Sequence, residues 1–237
     1  MLNIVAFDAD DTLWHNLIHF NAAEKRFGEM FANYLPANDA AAQLMKTESR
    51  NIALYGFGVK SFTLSMIETA ILISNGAVDA ATTAKLIAMG RDMLDHDVEL
   101  LPHVEDTLKA LHGDYKLLLI TKGDLKHQER KVLASGLAHF FEGVDIVSDK
   151  TPETYARIAK RHASKPEQML MAGNSVKSDV LPMISAGGIG VYVPFEMLWD
   201  HEHGEVPVAT ERFYEVKNLR GVVDVARQHS VIKKAQA

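Results

Sequence analysis

The chain has 237 residues, a formal net charge of −6 and no cysteine. The acidic balance argues against a nucleic-acid-binding surface, which needs clustered positive charge, and the lack of cysteine excludes disulfides and thiolate metal ligands. No apolar run is long enough to cross a membrane. These properties predict a globular, cytoplasmic protein without nucleic-acid or membrane partners, and they leave open whether it is a monomer or a homodimer.

The first predicted element is a buried strand over residues 2–7, which ends in the polar cluster Asp8-Ala9-Asp10-Asp11-Thr12. Short apolar runs are typical of parallel strands, and open α/β sheets bind ligands at the carboxyl ends of such strands. Neighbouring carboxylates raise one another's pKa unless a cation neutralises them. Because Mg²⁺ binds one or two carboxylates together with substrate phosphate oxygens, we predict a Mg²⁺ site at this strand end.

Residues 16–95 have a helical pattern almost throughout. Apolar residues repeat at three-to-four spacing from Leu17 to Phe31, and further helices are predicted over 39–54, 61–74 and 80–93. Between two of these helices, the segment from Tyr55 to Lys60 combines two glycines, two aromatic residues and one lysine. Tyr55 and Lys60 are therefore candidates for substrate selectivity, and the alternative is a glycine-rich connector with inward-packed aromatic side chains.

After Pro102, helices alternate with short apolar strands. Strands are predicted over 116–120, 144–147, 169–172 and 190–193, and helices over 104–111, 125–134, 152–163 and 179–186. This alternation implies a doubly wound parallel sheet with right-handed crossovers. We therefore predict an α/β fold in which residues 1–15 and 96–237 form the core, and residues 16–95 form an inserted all-helical cap that acts as a lid over the strand ends.

The ends of the later strands also carry polar residues. Thr121 and Lys122 follow the second predicted strand, Lys150 follows the third, and Asn174 and Asp179 follow the fourth. A carboxylate that attacks in line, a hydroxyl donor, a lysine and a metal suit phosphoryl transfer, because together they neutralise and hold the phosphate oxygens. The order of these groups at successive strand ends indicates one site.

These motifs resemble those of the haloacid dehalogenase-like hydrolase superfamily, in particular its phosphatases with a helical cap inserted after the first motif. Asp8–Thr12 matches the pattern Asp-x-Asp-x-Thr, Thr121 matches the Thr or Ser of the second motif, and Lys150 matches the lysine of the third. Gly173–Ser175 together with Asp179 occupies the fourth motif. The resemblance covers essentially the whole chain and implies a Rossmann-like core.

The resemblance implies a role for each matched residue. Asp8 would be the nucleophile that forms an aspartyl-phosphate, and Asp10 would protonate the leaving oxygen and then deprotonate the hydrolytic water. The phosphate-binding residues would be Thr12, Thr121, Lys122 and Lys150.

The resemblance also implies a Mg²⁺ ion held by the Asp8 side chain, the Asp10 backbone carbonyl and the fourth motif. The family usually has Asp where this chain has Asn174, so the predicted site lacks one negative charge. Asn174 and Asp179 are both candidate metal ligands, and we favour Asp179 as the main carboxylate ligand of the fourth motif.

The resulting hypothesis is a Mg²⁺-dependent phosphatase that acts on a small phosphorylated metabolite. A phosphomutase shares all four motifs and stays an alternative. A phospho-accepting receiver domain is a second alternative, but it places its acidic pair and its acceptor on different strands and has no helical insert. A dehalogenase is disfavoured because cleavage of a carbon–halogen bond needs no acid, which would leave Asp10 without a function.

The segment from Trp199 to His203 contains two histidines, two residues apart, after the last predicted strand. This spacing does not match a usual zinc site. We interpret the segment as a solvated loop, with a contribution of Trp199 or His201 to the rim of the pocket as the alternative.

Overall fold

The computed structural model describes residues 1–197 and 210–231. The segment from Trp199 to His203 lies outside the described residues. The chain divides into two compact units. The α/β unit consists of Met1–His15, Val98–Lys122 and the described residues from Glu129 onward, and the helical unit consists of Asn16–Asp97 and Gly123–Gln128.

The helical unit is built around four helices that pack against one another in chain order. They are α1 (Leu17–Met30), α2 (Ala37–Tyr55), α3 (Val59–Ile73) and α4 (Ala80–Leu94). Its apolar core includes Phe27, Leu44, Phe62 and Met66, all fully buried. The helices expected from the apolar spacing are therefore present, with ends that differ by a few residues from the predicted ones.

The α/β unit contains a parallel sheet with helices on its faces. Its described strands are β1 (Ile4–Phe7), β2 (Lys116–Lys122), β3 (Gly143–Val147), β4 (Met169–Gly173), β5 (Ile189–Tyr192) and β6 (Phe213–Glu215). The helices that follow α4 along the chain are α5 (Val104–Leu111), α6 (Leu125–Ala134), α7 (Pro152–Arg161), α8 (Leu181–Ser185) and α9 (Arg220–Val231); the first residues of α6 belong to the helical unit. The strand order is β3-β2-β1-β4-β5-β6, and every pair is parallel. The predicted doubly wound α/β fold is confirmed.

The central strand β1 consists of apolar residues only and does not alternate between apolar and polar ones. Successive side chains of a strand face opposite sides of the sheet. Val5 and Phe7 pack in the core that includes α5 and α9, whereas Ile4 and Ala6 pack in the core that includes α7. Both faces of β1 are therefore buried, as is usual for parallel sheets.

The structure differs from the predicted elements near the end of the sheet. The helix expected over 179–186 is instead a π-helical turn, Val176–Val180, followed by the short α8. Pro182 has no N–H group and lies in the first turn of α8, where that group has no intrahelical acceptor to bind. Neither β6 nor α9 is among the predicted elements. The strand β6 has only three residues, and all of them are partly or largely exposed.

Among the described residues, no helix combines the length and the apolar character needed to cross a membrane.

The helical unit buries one acidic side chain, Glu48 of α2, which is 3% exposed. Burial raises the pKa of Glu48 to about 8, and repulsion from Glu24 adds to the effect. Among the described residues its Oε2 has no hydrogen-bond partner. One turn further along α2, the Asn51 amide donates to Ser65 Oγ at 3.1 Å and to Glu68 Oε2 at 2.8 Å. Glu48 is thus a buried acid that the fold holds in its neutral form at pH 7.

We predict that Glu48→Gln stabilises the protein increasingly as the pH rises from 5 to 8. In the unfolded chain Glu48 loses its proton near its ordinary pKa of 4.5, whereas the folded chain keeps it up to about 8. The free energy of unfolding of the wild type therefore falls across this range. Thermal denaturation should show an increase in Tm of at least about 2–4 °C at pH 8, which corresponds to about 1 kcal/mol for a chain of this size.

The matched control is Glu29→Gln, an exposed glutamate of α1 in the same unit. An equal, pH-independent shift in both variants would contradict the assignment of a buried neutral acid.

Candidate active site

The site begins where β1 ends, between β2 and β4. Phe7 pairs in register with Leu119 and Ala172 of these strands. The Asp8 N–H donates to the carbonyl oxygen of Ala172 at 2.9 Å, which continues the ladder by one residue. Because β1 is a central strand, the Asp8 side chain lies among the residues that follow its neighbours, and it is 10% exposed.

Lys150 lies between two carboxylates at this edge of the sheet. Its Nζ donates to Asp8 Oδ1 and, at 2.6 Å, to Asp179 Oδ1. The Lys150 side chain is 2% exposed. The residues that follow β1, β3 and β4 thus meet in one buried cluster with two acids and one base.

Burial and charge together shift the pKa values in this cluster. Burial raises the pKa of Asp8 to about 7; Lys150 opposes the shift, and Asp179 and Asp10 add to it. Burial alone would lower the pKa of Lys150, but attraction to Asp179 and Asp8 outweighs it and holds the pKa above its ordinary value. One ammonium group therefore does not fully neutralise the surrounding carboxylates.

Thr12 connects the first motif to the fourth. Its Oγ1 lies 3.0 Å from Asp8 Oδ2 and 3.1 Å from Asn174 Oδ1, and it accepts the Asn174 N–H at 3.1 Å. The hydroxyl has one proton and can donate it to only one of the two oxygens at a time. Oxygen atoms of Asp8 and Asn174 therefore converge on the same hydroxyl group.

Asp179 is held in place by the turn that follows β4. A Cβ atom at Gly173 would overlap Asp179 Oδ2, so the glycine permits the close approach of the carboxylate. The same Oδ2 accepts the Ser175 N–H at 3.0 Å, and Ser175 Oγ accepts the Ser178 N–H at 3.0 Å at the start of the π-helical turn. Both carboxylate oxygens of Asp179 thus have donors in this structure.

The Asp10 side chain has two partners that the sequence analysis missed. The Trp14 Nε1–H donates to Asp10 Oδ1 at 2.7 Å, and Lys131 Nζ donates to the same oxygen at 2.5 Å. A buried tryptophan N–H needs an acceptor, so the nearby acids were a usable signal for Trp14. The sequence contains no comparable signal that distinguishes Lys131 from Lys126, the other lysine of α6.

The remaining predicted phosphate-binding residues lie at the end of β2. Thr121 is buried, and its Oγ1 lies 3.3 Å from the carbonyl oxygen of Lys122. The Lys122 Nζ donates to Ser178 Oγ at 2.9 Å, which joins β2 to the turn after β4.

Tyr55 and Lys60, the predicted selectivity residues, belong to the helical unit. Tyr55 is exposed. The Lys60 N–H donates to Asp124 Oδ2 at 3.1 Å, and its Nζ lies 3.3 Å from Asp124 Oδ1. Asp124 therefore binds the first turn of α3, where a negative charge is favourable. At Gly58, φ is +123°, and a Cβ there would lie 2.7 Å from Asp124 Oδ2, so this glycine permits the contact.

Comparison with known proteins identifies the family. A sequence model of the haloacid dehalogenase-like hydrolases matches residues 2–187, which is most of the chain. The chain belongs to this family. It is therefore a hydrolase, and the resemblance seen in the four motifs is confirmed.

Individual proteins are similar to this chain in sequence or in structure over most of its length. A haloacid dehalogenase-like hydrolase from Xanthomonas campestris is 36% identical, with a TM-score of 0.85 over 96% of this chain and 95% of that one. A glyceraldehyde 3-phosphate phosphatase from Methanothermobacter thermautotrophicus is 26% identical over 214 residues, which cover 83% of this chain and 88% of that one. The HAD-hydrolase YfnB from Bacillus subtilis, described as bound to magnesium, is 19% identical, has a TM-score of 0.65 and covers 95% of this chain and 98% of its own.

We predict that Lys150→Met lowers the free energy of unfolding by about 3–5 kcal/mol at pH 8, because it leaves two buried carboxylates without their shared cation. The loss should be smaller at pH 5.5. There Asp8, whose pKa is raised to about 7 in the wild type, takes up a proton and can donate to Asp179. Urea denaturation in the presence of a chelator measures both values.

The double variant Lys150→Met/Asp179→Asn serves as the control, since it removes one of the two facing charges. It should be more stable than Lys150→Met at pH 8. A loss that is independent of pH would show that packing of the lysine stem, rather than charge, causes the effect.

Proposed function

We propose that this hydrolase is a Mg²⁺-dependent phosphatase that cleaves a small phosphomonoester through an aspartyl-phosphate on Asp8. The observation that carries the proposal is the buried contact of Lys150 with both Asp8 and Asp179. A carboxylate next to a fixed ammonium group at a strand end suits in-line attack on phosphorus, because the cation also attracts the anionic substrate.

Asp8 is the proposed nucleophile. Its Oδ1 contacts Lys150 and its Oδ2 contacts the Thr12 hydroxyl, so the carboxylate is held from both sides. A covalent aspartyl-phosphate divides one difficult displacement into two easier ones. With Thr12, the lysines Lys150 and Lys122 and the buried Thr121 supply donors for the phosphoryl oxygens.

Asp10 is the proposed proton-transfer group. It follows the nucleophile by two residues, and its side chain is one quarter exposed. In the first step it would give a proton to the leaving oxygen, and in the second it would accept one from the attacking water.

The donor set of the site fits Mg²⁺. It consists of oxygen atoms: the Asp8 carboxylate, the Asp10 backbone carbonyl, the Asn174 amide and the Asp179 carboxylate. Mg²⁺ prefers oxygen ligands, takes few carboxylates and completes its shell with substrate oxygens and water, so a donor set of this kind suits it. When bound, the ion would neutralise charge on the transferring phosphoryl group.

The proposed substrate is a small phosphorylated metabolite. The relative from Methanothermobacter thermautotrophicus is named for glyceraldehyde 3-phosphate, which makes triose phosphates the first compounds to test. We further propose that the helical unit acts as the cap domain and that Tyr55 and Lys60 contribute to substrate selectivity.

Turnover of phosphomonoesters tests the proposal. With Mg²⁺, the wild type should release phosphate catalytically from an aryl phosphate and from at least one member of a panel that includes triose phosphates. Asp8→Asn should be inactive, because an amide is a poor nucleophile, and Asp10→Asn should be severely impaired in proton transfer. Each variant should lose more than about tenfold in rate, a barrier increase of about 1.4 kcal/mol.

The control is Asp114→Asn, which changes an exposed aspartate of the same unit and should keep full activity. Circular dichroism establishes that the three variants are folded. If Asp8→Asn kept more than about a tenth of the wild-type rate, the covalent route through Asp8 would be wrong.

A Mg²⁺ titration tests the fourth motif. Asn174→Asp should lower the Mg²⁺ concentration needed for half-maximal activity, because it adds a negative charge beside the proposed ion. Asp179→Asn should raise that concentration more than Asn174→Ala does, if Asp179 is the main carboxylate ligand of this motif. The reverse order would assign the main role to Asn174 and leave Asp179 as the partner of Lys150.

A further inference from the structure

Asp10 Oδ1 accepts two hydrogen bonds from groups outside the four motifs. The Trp14 Nε1–H donates from within the same loop at 2.7 Å, and Lys131 Nζ donates from α6 at 2.5 Å. The Trp14 side chain is fully buried. The Lys131 side chain is 10% exposed, which is a low value for a lysine.

The chemistry of the two donors restricts Asp10. An indole N–H and an ammonium group can each donate a hydrogen bond but cannot accept one. Both therefore require lone pairs on Oδ1, so a proton cannot occupy that oxygen while the contacts persist. Any proton that Asp10 carries must lie on Oδ2.

We infer that Lys131 and Trp14 are positioning residues that hold Oδ1 of Asp10 and thereby fix Oδ2 as the oxygen that gives and takes the catalytic proton. The inference rests on the proposed function, because it assigns these two residues to the proton-transfer step of phosphate ester hydrolysis. Neither residue needs to touch the substrate.

The proton balance of the reaction follows from this assignment. In the first step Asp8 forms a bond to phosphorus, the bond from phosphorus to the leaving oxygen breaks with its electron pair on that oxygen, and the proton on Asp10 Oδ2 moves to it. In the second step a water oxygen bonds to phosphorus, its proton moves to Oδ2, and the bond between phosphorus and Asp8 breaks to restore the carboxylate.

Lys131→Met keeps the buried stem and removes the donor. Its effect should depend on the leaving group. An alkyl phosphate needs protonation of its leaving oxygen, whereas 4-nitrophenolate leaves without it. With saturating Mg²⁺ we compare the single-turnover rate of leaving-group release, which reports the first step alone. This rate should fall about tenfold or more on an alkyl phosphomonoester that the wild type cleaves, and by less than about threefold on 4-nitrophenyl phosphate, since general acid–base catalysis contributes about 10²–10⁴-fold. KM should be unchanged on both.

Three further variants complete the experiment. Lys126→Met removes an exposed lysine of the same helix and should leave both rates unchanged. Lys131→Arg keeps a donor and should restore part of the alkyl phosphate rate. Adding Lys131→Met to Asp10→Asn should cause no further loss, because the residue acts through Asp10.

Equal losses on both substrates, or a raised KM, would assign Lys131 to phosphate binding or stability and overturn the inference while leaving the proposed function intact. Unchanged rates would overturn it as well. A wild type that cleaves no phosphomonoester with Mg²⁺ would overturn the proposed function, and the inference with it.

Discussion

The two ion pairs of Lys150 are the interaction on which the rest of the site depends. A buried ammonium group is strongly unfavourable unless its partners are close, and here they are Asp8 after β1 and Asp179 after β4. The lysine itself follows β3. The three strand ends are therefore joined by one cation, and when both carboxylates are ionised the trio carries one more negative than positive charge. That excess supports the proposed binding of a further cation.

The cluster also constrains the local backbone. At Gly173, the last residue of β4, a Cβ atom would overlap the Asp179 carboxylate, and a π-helical turn rather than a regular helix follows Ser175. The Tyr155 hydroxyl, from α7 on one face of the sheet, donates to the carbonyl oxygen of Ser178 in this turn at 3.1 Å. Packing of the sheet and geometry of the site are thus specified by the same few residues.

Much of the fold followed from the sequence because its signals are local. Both faces of β1 are buried, so an apolar run with an acidic end was sufficient to locate it. In contrast, β6 is short and partly exposed, and nothing in its composition separates it from a loop. The contact of Lys131 with Asp10 joins residues 121 positions apart. A lysine on a helix is ordinarily a surface residue, so only its contact with Asp10 in the three-dimensional structure reveals this one.

Asn174 places an uncharged amide where a carboxylate would add to the negative charge of the site. Its Oδ1 lies near the Thr12 hydroxyl, which also contacts the Asp8 carboxylate. An aspartate at this position would place a second carboxylate against that hydroxyl, next to Asp8, whose pKa is already raised by burial and by Asp179. The amide adds no such repulsion, so Asp8 stays ionised at a lower pH than it would beside an aspartate. In the proposed phosphatase, Asn174 would therefore weaken the attraction for Mg²⁺ but keep Asp8 available as the nucleophile.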